Sequence, residues 1–95
     1  TFREVYQKVN GAPTSDAYSA YSFDGWLVFV DAAARARGEP GTADFRKSLR
    51  EAIFSTREVV GTHGVYNFRS GSLDGVDERA RVIVKLDQGQ WKLVP

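Results

Sequence analysis

Apolar positions in the first half of the chain recur at helical spacing. Phe2, Val5, Tyr6 and Val9 fall at i, i+3, i+4 and i+7, one stripe on a short helix. Asn10-Gly11 ends that helix, because glycine accepts the left-handed conformation, and Pro13 keeps it from resuming. Ser15 reads as the N-cap of a second helix over Asp16–Arg37, with Asp16 at the positive end of its dipole. Ala20, Phe23, Leu27, Val30 and Ala34 line one side, and Trp26, Phe29 and Ala33 broaden the stripe. A helix apolar over most of its girth is expected to be buried against more than one neighbour. Gly38 is its natural stop. Thr42 then caps a third helix with the stripe Phe45, Leu49, Ala52 and Ile53, and Lys47 and Glu51 paired across one turn.

After Ser55 the period changes. Val59-Val60-Gly61 and Val65-Tyr66-Asn67-Phe68 are short, β-branched or aromatic, and bounded by glycines, which reads as extended chain. Arg69–Glu78 is a turn-rich connection, with Ser70-Gly71-Ser72 as turn chemistry. Alternation then becomes clear, with Ala80, Val82, Val84 and Leu86 on one face and Arg79, Arg81, Lys85 and Asp87 on the other. Gln88-Gly89 makes a two-residue hairpin loop, so Leu86 faces Trp91, Val84 faces Leu93, and Lys85 faces Lys92. Three helices precede the strands with no strand between them, whereas a complete α/β domain alternates the two. Something that those helices cover is expected to lie elsewhere.

Composition narrows the classes. The 95 residues allow one domain at most, and 42% hydrophobic with 26% charged residues is globular composition. A formal net charge of +1, without a basic stripe, sets nucleic acid aside as a partner. There are no cysteines, which excludes disulfides and thiolate metal sites. The longest apolar run, Trp26–Val30, is far short of a membrane span. The chain opens on Thr1-Phe2-Arg3-Glu4-Val5-Tyr6, which reads as uncapped helix interior and favours a piece cut inside a domain.

Catalytic chemistry finds little support. His63 is the one histidine, with its nearest acid in sequence, Glu58, outside familiar ligand spacing, so it reads as a structural or solvent-exposed loop residue and no metal is expected. No serine sits in a nucleophile-elbow context, so a small hydrolase around His63 is a distant alternative. Gly71-Ser72-Leu73-Asp74-Gly75 lacks the lysine and the strand–loop–helix setting of a phosphate cradle, and Asp74-x-x-Asp77-Glu78 lacks calcium-loop spacing. Asp24, mid-helix between Phe23 and Gly25-Trp26, is costly as a carboxylate unless paired, and reads as a structural group bonded to backbone or an arginine. Tyr18, Ser19 and Tyr21, at the start of the same helix, mix aromatic surface with hydroxyls, as groups lining a small-molecule pocket do.

The succession of these signals resembles a known family. Phe2-x-x-x-Tyr6, then Gly11-x-Pro13, then Tyr21-Ser22-Phe23-Asp24-Gly25 resembles the C-terminal part of extracytoplasmic solute-binding proteins of ABC transporters, in the branched-chain amino-acid (type I periplasmic-binding) family. The short helix Phe45–Phe54, the glycine-bounded Gly61-Thr62-His63-Gly64-Val65-Tyr66-Asn67-Phe68 and the final hairpin Val82–Leu93 continue that order.

The resemblance implies a partial α/β domain: a C-terminal fragment with three helices, then short strands and a hairpin. Residues 1–76 would be the helical portion of the first lobe, and residues 77–95 the crossover and hairpin of the second. It implies a non-catalytic, periplasmic, substrate-binding component of an importer, with no cofactor. The ligand would be a branched-chain amino acid or a related organic or aromatic carboxylic acid, and the partner a membrane permease. A ligand-sensing regulatory domain of the same fold is the alternative. Tyr18, Ser19 and Tyr21 would contact ligand, Asp24 would be structural, and binding would not depend on His63. The surplus of large apolar groups predicts a homodimer for the isolated chain.

Overall fold

A computed structural model of the chain describes residues 1–69, 72 and 74–95. Three helices come first: α1 (Phe2–Asn10), α2 (Tyr18–Arg35) and α3 (Ala43–Phe54). Strands β1 (Val59–Val60) and β2 (Val65–Tyr66) follow, then a 3₁₀ turn at Glu78–Ala80, then β3 (Ile83–Asp87) and β4 (Gln90–Val94). This is an α/β arrangement with two separate two-stranded antiparallel sheets.

Thr1 occupies the N-cap position of α1, its amino group 2.6 Å from Glu4 Oε2, so the opening residues form a first turn rather than helix interior. Gly11, at φ 73°, closes the helix by donating its N–H to the Gln7 carbonyl at 2.8 Å. α1 docks through Phe2, whose ring centroid lies 5.3 Å from that of Phe23. Val5 and Val9 on the predicted stripe stay exposed.

α2 is shorter than its pattern suggests. The Asp16 carboxylate, not the Ser15 hydroxyl, accepts the amides of Tyr18 (2.8 Å) and Ser19 (3.2 Å), so the first turn begins two residues late. At the far end Ala36 is already extended (ψ 150°), ahead of the expected stop at Gly38. The buried row is Ala20, Asp24, Val28 and Ala32 at strict i, i+4 spacing, rotated from the predicted one. Phe23, against Phe2, and Leu27 are half-buried, whereas Trp26 is 60% exposed and Phe29 and Val30 are exposed too. Among the described residues no second neighbour covers them.

Arg35 ties α2 to the end of α3. Its guanidinium donates to Asp31 Oδ2 (2.7 Å), the Ala52 carbonyl (2.9 Å) and Ser55 Oγ (2.9 Å). The Thr42 hydroxyl accepts from the Phe45 amide at 3.2 Å, capping α3 as predicted. Lys47 and Glu51 form no ion pair within 4 Å; both side chains are free in solvent, where such a pair contributes little.

The β3–β4 register is the predicted one: Leu86 opposite Trp91, Val84 opposite Leu93 and Lys85 opposite Lys92. Gln88 (φ 50°) and Gly89 (φ 77°) both take the left-handed conformation that a two-residue turn of the primed type requires. Asp87 offsets the facing lysines, 2.7 Å from Lys92 Nζ and 4.0 Å from Lys85 Nζ.

Among the described residues the buried apolar set is Ala20, Val28, Ala32 and Ala52, nothing larger than valine. The radius of gyration is 16.8 Å, against about 12 Å for a compact domain of this length. The chain spreads over 56 × 36 × 15 Å. It is a slab that buries little of its own apolar surface.

Candidate functional site

The site is organised by the buried carboxylate of Asp24. Only 1% exposed, it accepts the amides of Thr62 (2.7 Å) and His63 (3.0 Å) and the hydroxyl of Tyr66 (2.7 Å). Its partners are therefore backbone and a tyrosine, not an arginine. Burial pushes its pKa up, but the amides of Thr62 and His63 and the Tyr66 hydroxyl outweigh that, and the net shift is downward. Burial and the same bond hold the Tyr66 phenol protonated, well above the usual tyrosine range. Gly61 permits this approach: a Cβ there would stand 2.6 Å from both Asp24 Oδ2 and Tyr66.

Pinning the Thr62–His63 amides to α2 carries the His63 ring to the start of that helix. The ring stacks on Tyr21, centroids 3.7 Å apart and planes at 13°. Its Nε2 lies 3.1 Å from the Ala17 carbonyl. Tyr18 extends the array, its centroid 6.4 Å from that of Tyr21, and is itself 79% exposed. Ser19 turns away from the rings, its Oγ 2.8 Å from Thr14 Oγ1, where the pair fastens the incoming loop to the helix. Of the three residues singled out in the sequence, the structure thus sets Tyr18 and Tyr21 beside His63, and Ser19 in a structural pair.

Two hollows flank the stack. The larger, about 900 Å³, lies between the start of α1, the 13–17 loop and the 62–63 turn, with Phe2, Arg3, Pro13 and Ala17 in its wall. The smaller, about 390 Å³, lies between Tyr21, Tyr66, Val76 and Arg81. His63 lines both. Beside the smaller hollow Arg79 donates to Asp77 (2.8 Å) and reaches Glu58 (3.3 Å), and its hydrogen bonds hold the Asp77 carboxyl down to about 2. Both volumes are in the range of small-molecule sites.

The sequence reading set His63 apart from the aromatic cluster. The signal that links them is the buried Asp24, which needs donors, and a glycine-bounded turn with free amides supplies them. The glycine-loop reading at Gly71-Ser72-Leu73 and the turn at Ser70-Gly71 fall on residues 70, 71 and 73, which lie outside the described residues. Among the described residues no three His, Asp or Glu side chains gather as a metal site.

No protein-family model matches the chain, and no curated protein does. Solved structures do. An extracellular ligand-binding receptor from Rhodopseudomonas palustris is 28% identical, with a TM-score of 0.72 over 97% of this chain. A protein of Rhodopseudomonas palustris strain CGA009 is 28% identical with a TM-score of 0.78. An extracellular ligand-binding receptor from Rhodopseudomonas palustris HaA2 is 26% identical with a TM-score of 0.76. In each case the chain spans 26% of the matched protein's length. The fold is that of a part of an extracellular ligand-binding receptor, which accounts for helices that lack a sheet to cover. No helix of the described residues is long and apolar enough to cross a membrane.

Proposed function

We propose that this chain is a segment of a periplasmic solute-binding protein that delivers a small carboxylic acid, amino or organic, to the permease of an ABC transporter. The observation that carries this reading is the likeness, over 97% of the chain, to extracellular ligand-binding receptors. Residues 1–76 finish one lobe, and residues 77–95 cross to the other. The aromatic group Tyr18 and Tyr21 stands on the cleft side, and Asp24 keeps the 61–66 turn against it. A receptor of this kind binds without turnover and needs no cofactor.

The test is titration calorimetry on the full-length receptor that carries this segment, against a panel of amino acids and of aliphatic and aromatic monocarboxylates. Saturable one-to-one binding of some member, with no product formed, is the expected result. Absence of binding across the panel overturns the reading.

A further inference from the structure

The connection from β2 to the hairpin is tied down at one end and free at the other. Asn67 donates its amide to the Gly75 carbonyl (2.7 Å) and accepts the Glu58 amide on its side-chain oxygen (3.0 Å), with Glu58 in the left-handed conformation (φ 51°). The 3₁₀ turn Glu78–Ala80 lies against the same body: a Cβ on Gly64 would stand 2.9 Å from that of Ala80. Arg79 completes the cluster. It donates to both oxygens of Asp77 (3.0 and 2.8 Å) and reaches the Glu58 carboxylate with two nitrogens at 3.3 Å, across 21 residues of sequence.

Past that turn the ties stop. The Arg81 amide donates to the Glu78 carbonyl at 3.1 Å, and Arg81 itself is extended (φ −101°, ψ 136°). From Val82 to Pro95 every hydrogen bond and ion pair among the described residues stays inside the hairpin. All of β3 and β4 except Asp87 is exposed. A hinge is a few residues at the end of an element, where the backbone can turn without breaking packing or hydrogen bonds. Read onward from Gly75, Arg81–Val82 is the first place that meets this description.

Building on the receptor reading, we infer that the crossover pivots at Arg81–Val82, and that Arg79, bonded to Glu58, is the positioning residue that keeps Asp77–Ala80 on the first lobe and so fixes the pivot there. The first lobe then extends to Ala80, and the hairpin moves as a unit with the second. Each ion pair is solvent-exposed and contributes little alone, but one guanidinium held by two carboxylates is a network, and its loss frees a short turn rather than the fold. Without Arg79, opening of that turn is expected to become about 2- to 5-fold more frequent.

The experiment measures spin-label distances in the ligand-free, full-length receptor, otherwise without cysteine. One label sits at Glu39→Cys, in the exposed loop between α2 and α3, and the second at Glu78→Cys or at Gln90→Cys. The distance from 39 to 78 is expected to be single and narrow, and that from 39 to 90 broad or split. Arg79→Gln is expected to broaden the first and to speed amide exchange at Ala80 and Arg81 about 2- to 5-fold. Arg79→Lys keeps the charge without the fork and is expected to fall between the two. Melting curves establish that the variants are folded. A narrow distance from 39 to 90 overturns the pivot. A broad one from 39 to 78 moves it ahead of the turn and overturns it too. Unchanged distance and exchange in folded Arg79→Gln overturn the role of Arg79. None of these outcomes depends on a bound acid, so each leaves the receptor reading to the calorimetry above.

Discussion

Tyr66 donates its hydroxyl to Asp24 at 2.7 Å, across 42 residues of sequence. That bond joins the helix that carries the aromatic cluster to the turn that carries His63. Tyr66→Phe removes a hydrogen bond to a charged, buried acceptor and is expected to destabilise the receptor by roughly 1.5–3 kcal/mol. Asp24→Ala leaves the Thr62 and His63 amides without their acceptor and is expected to cost more. Thermal melts of the two variants check the order.

The same pair sets a pH dependence. The folded-state pKa of Asp24 is depressed, so its contribution is present above the unfolded value of about 3.9 and is lost as pH falls through the folded value. The Tyr66 phenol is raised, so its contribution is present below about pH 10 and declines as pH rises, because the unfolded chain ionises first. Tyr66→Phe is expected to flatten the alkaline limb of a stability profile. An unchanged alkaline limb in that variant would show that other groups produce it.

Much of this arrangement was legible in the chain, and the reasons for the rest are physical. The β3–β4 register follows from period-2 alternation and a two-residue loop, both local, and the structure matches it pair for pair. The start of α2 moved because the Asp16 carboxylate, not the Ser15 hydroxyl, takes the free amides of Tyr18 and Ser19. The buried row keeps Ala20 of the predicted stripe and then turns to Asp24, Val28 and Ala32, small or hydrogen-bonded residues rather than the largest apolar ones. The stack of Tyr21 on His63 has no local signature at all. It arises because Asp24 draws a turn from 38 residues away.

Gly61 is the point where that turn passes closest to the helix. A methyl group there would meet Asp24 and Tyr66 at 2.6 Å, so Gly61→Ala must displace a fully bonded carboxylate. The expected cost is roughly 1–3 kcal/mol, together with weaker ligand binding through a shifted His63. Gly11→Ala is the control, since its Cβ meets nothing within 4 Å and only the left-handed φ of 73° resists it. It is expected to cost about 1 kcal/mol with affinity unchanged. Melts and calorimetry on the two variants separate close approach from backbone conformation.

Tyr21 tests the receptor reading at a single side chain. Its ring covers one face of His63, and removing it exposes the imidazole and opens the wall of the smaller hollow. Tyr21→Ala is expected to weaken binding at least tenfold in the full-length receptor, and Tyr21→Phe to keep most of the affinity. Ser19→Ala acts through its bond to Thr14 and is expected to lower stability more than affinity. Unchanged affinity in Tyr18→Ala, Ser19→Ala and Tyr21→Ala alike would remove this cluster from the binding site.

The isolated chain presents a different problem in solution. Trp26 and Phe29, with centroids 5.5 Å apart, are exposed on α2, and Val84, Leu86, Trp91 and Leu93 form an uncovered face on the hairpin. Fully burying each such side chain contributes roughly 1.5–3 kcal/mol, while the buried set inside the chain stops at Val28 and three alanines. The outer edges of β3 and β4 add unpaired backbone donors and acceptors that a second copy can engage. We therefore expect the 95-residue chain to associate at micromolar concentration, as a homodimer that replaces the absent covering surface with a second copy. It is not expected to bind small acids measurably, since half a cleft cannot enclose them. Light scattering checks the first point and calorimetry the second. Trp26→Lys together with Trp91→Lys should shift the population toward the 10.6 kDa monomer. A sharp monomer with cooperative unfolding in the unmodified chain would mean that these faces find cover within a single copy.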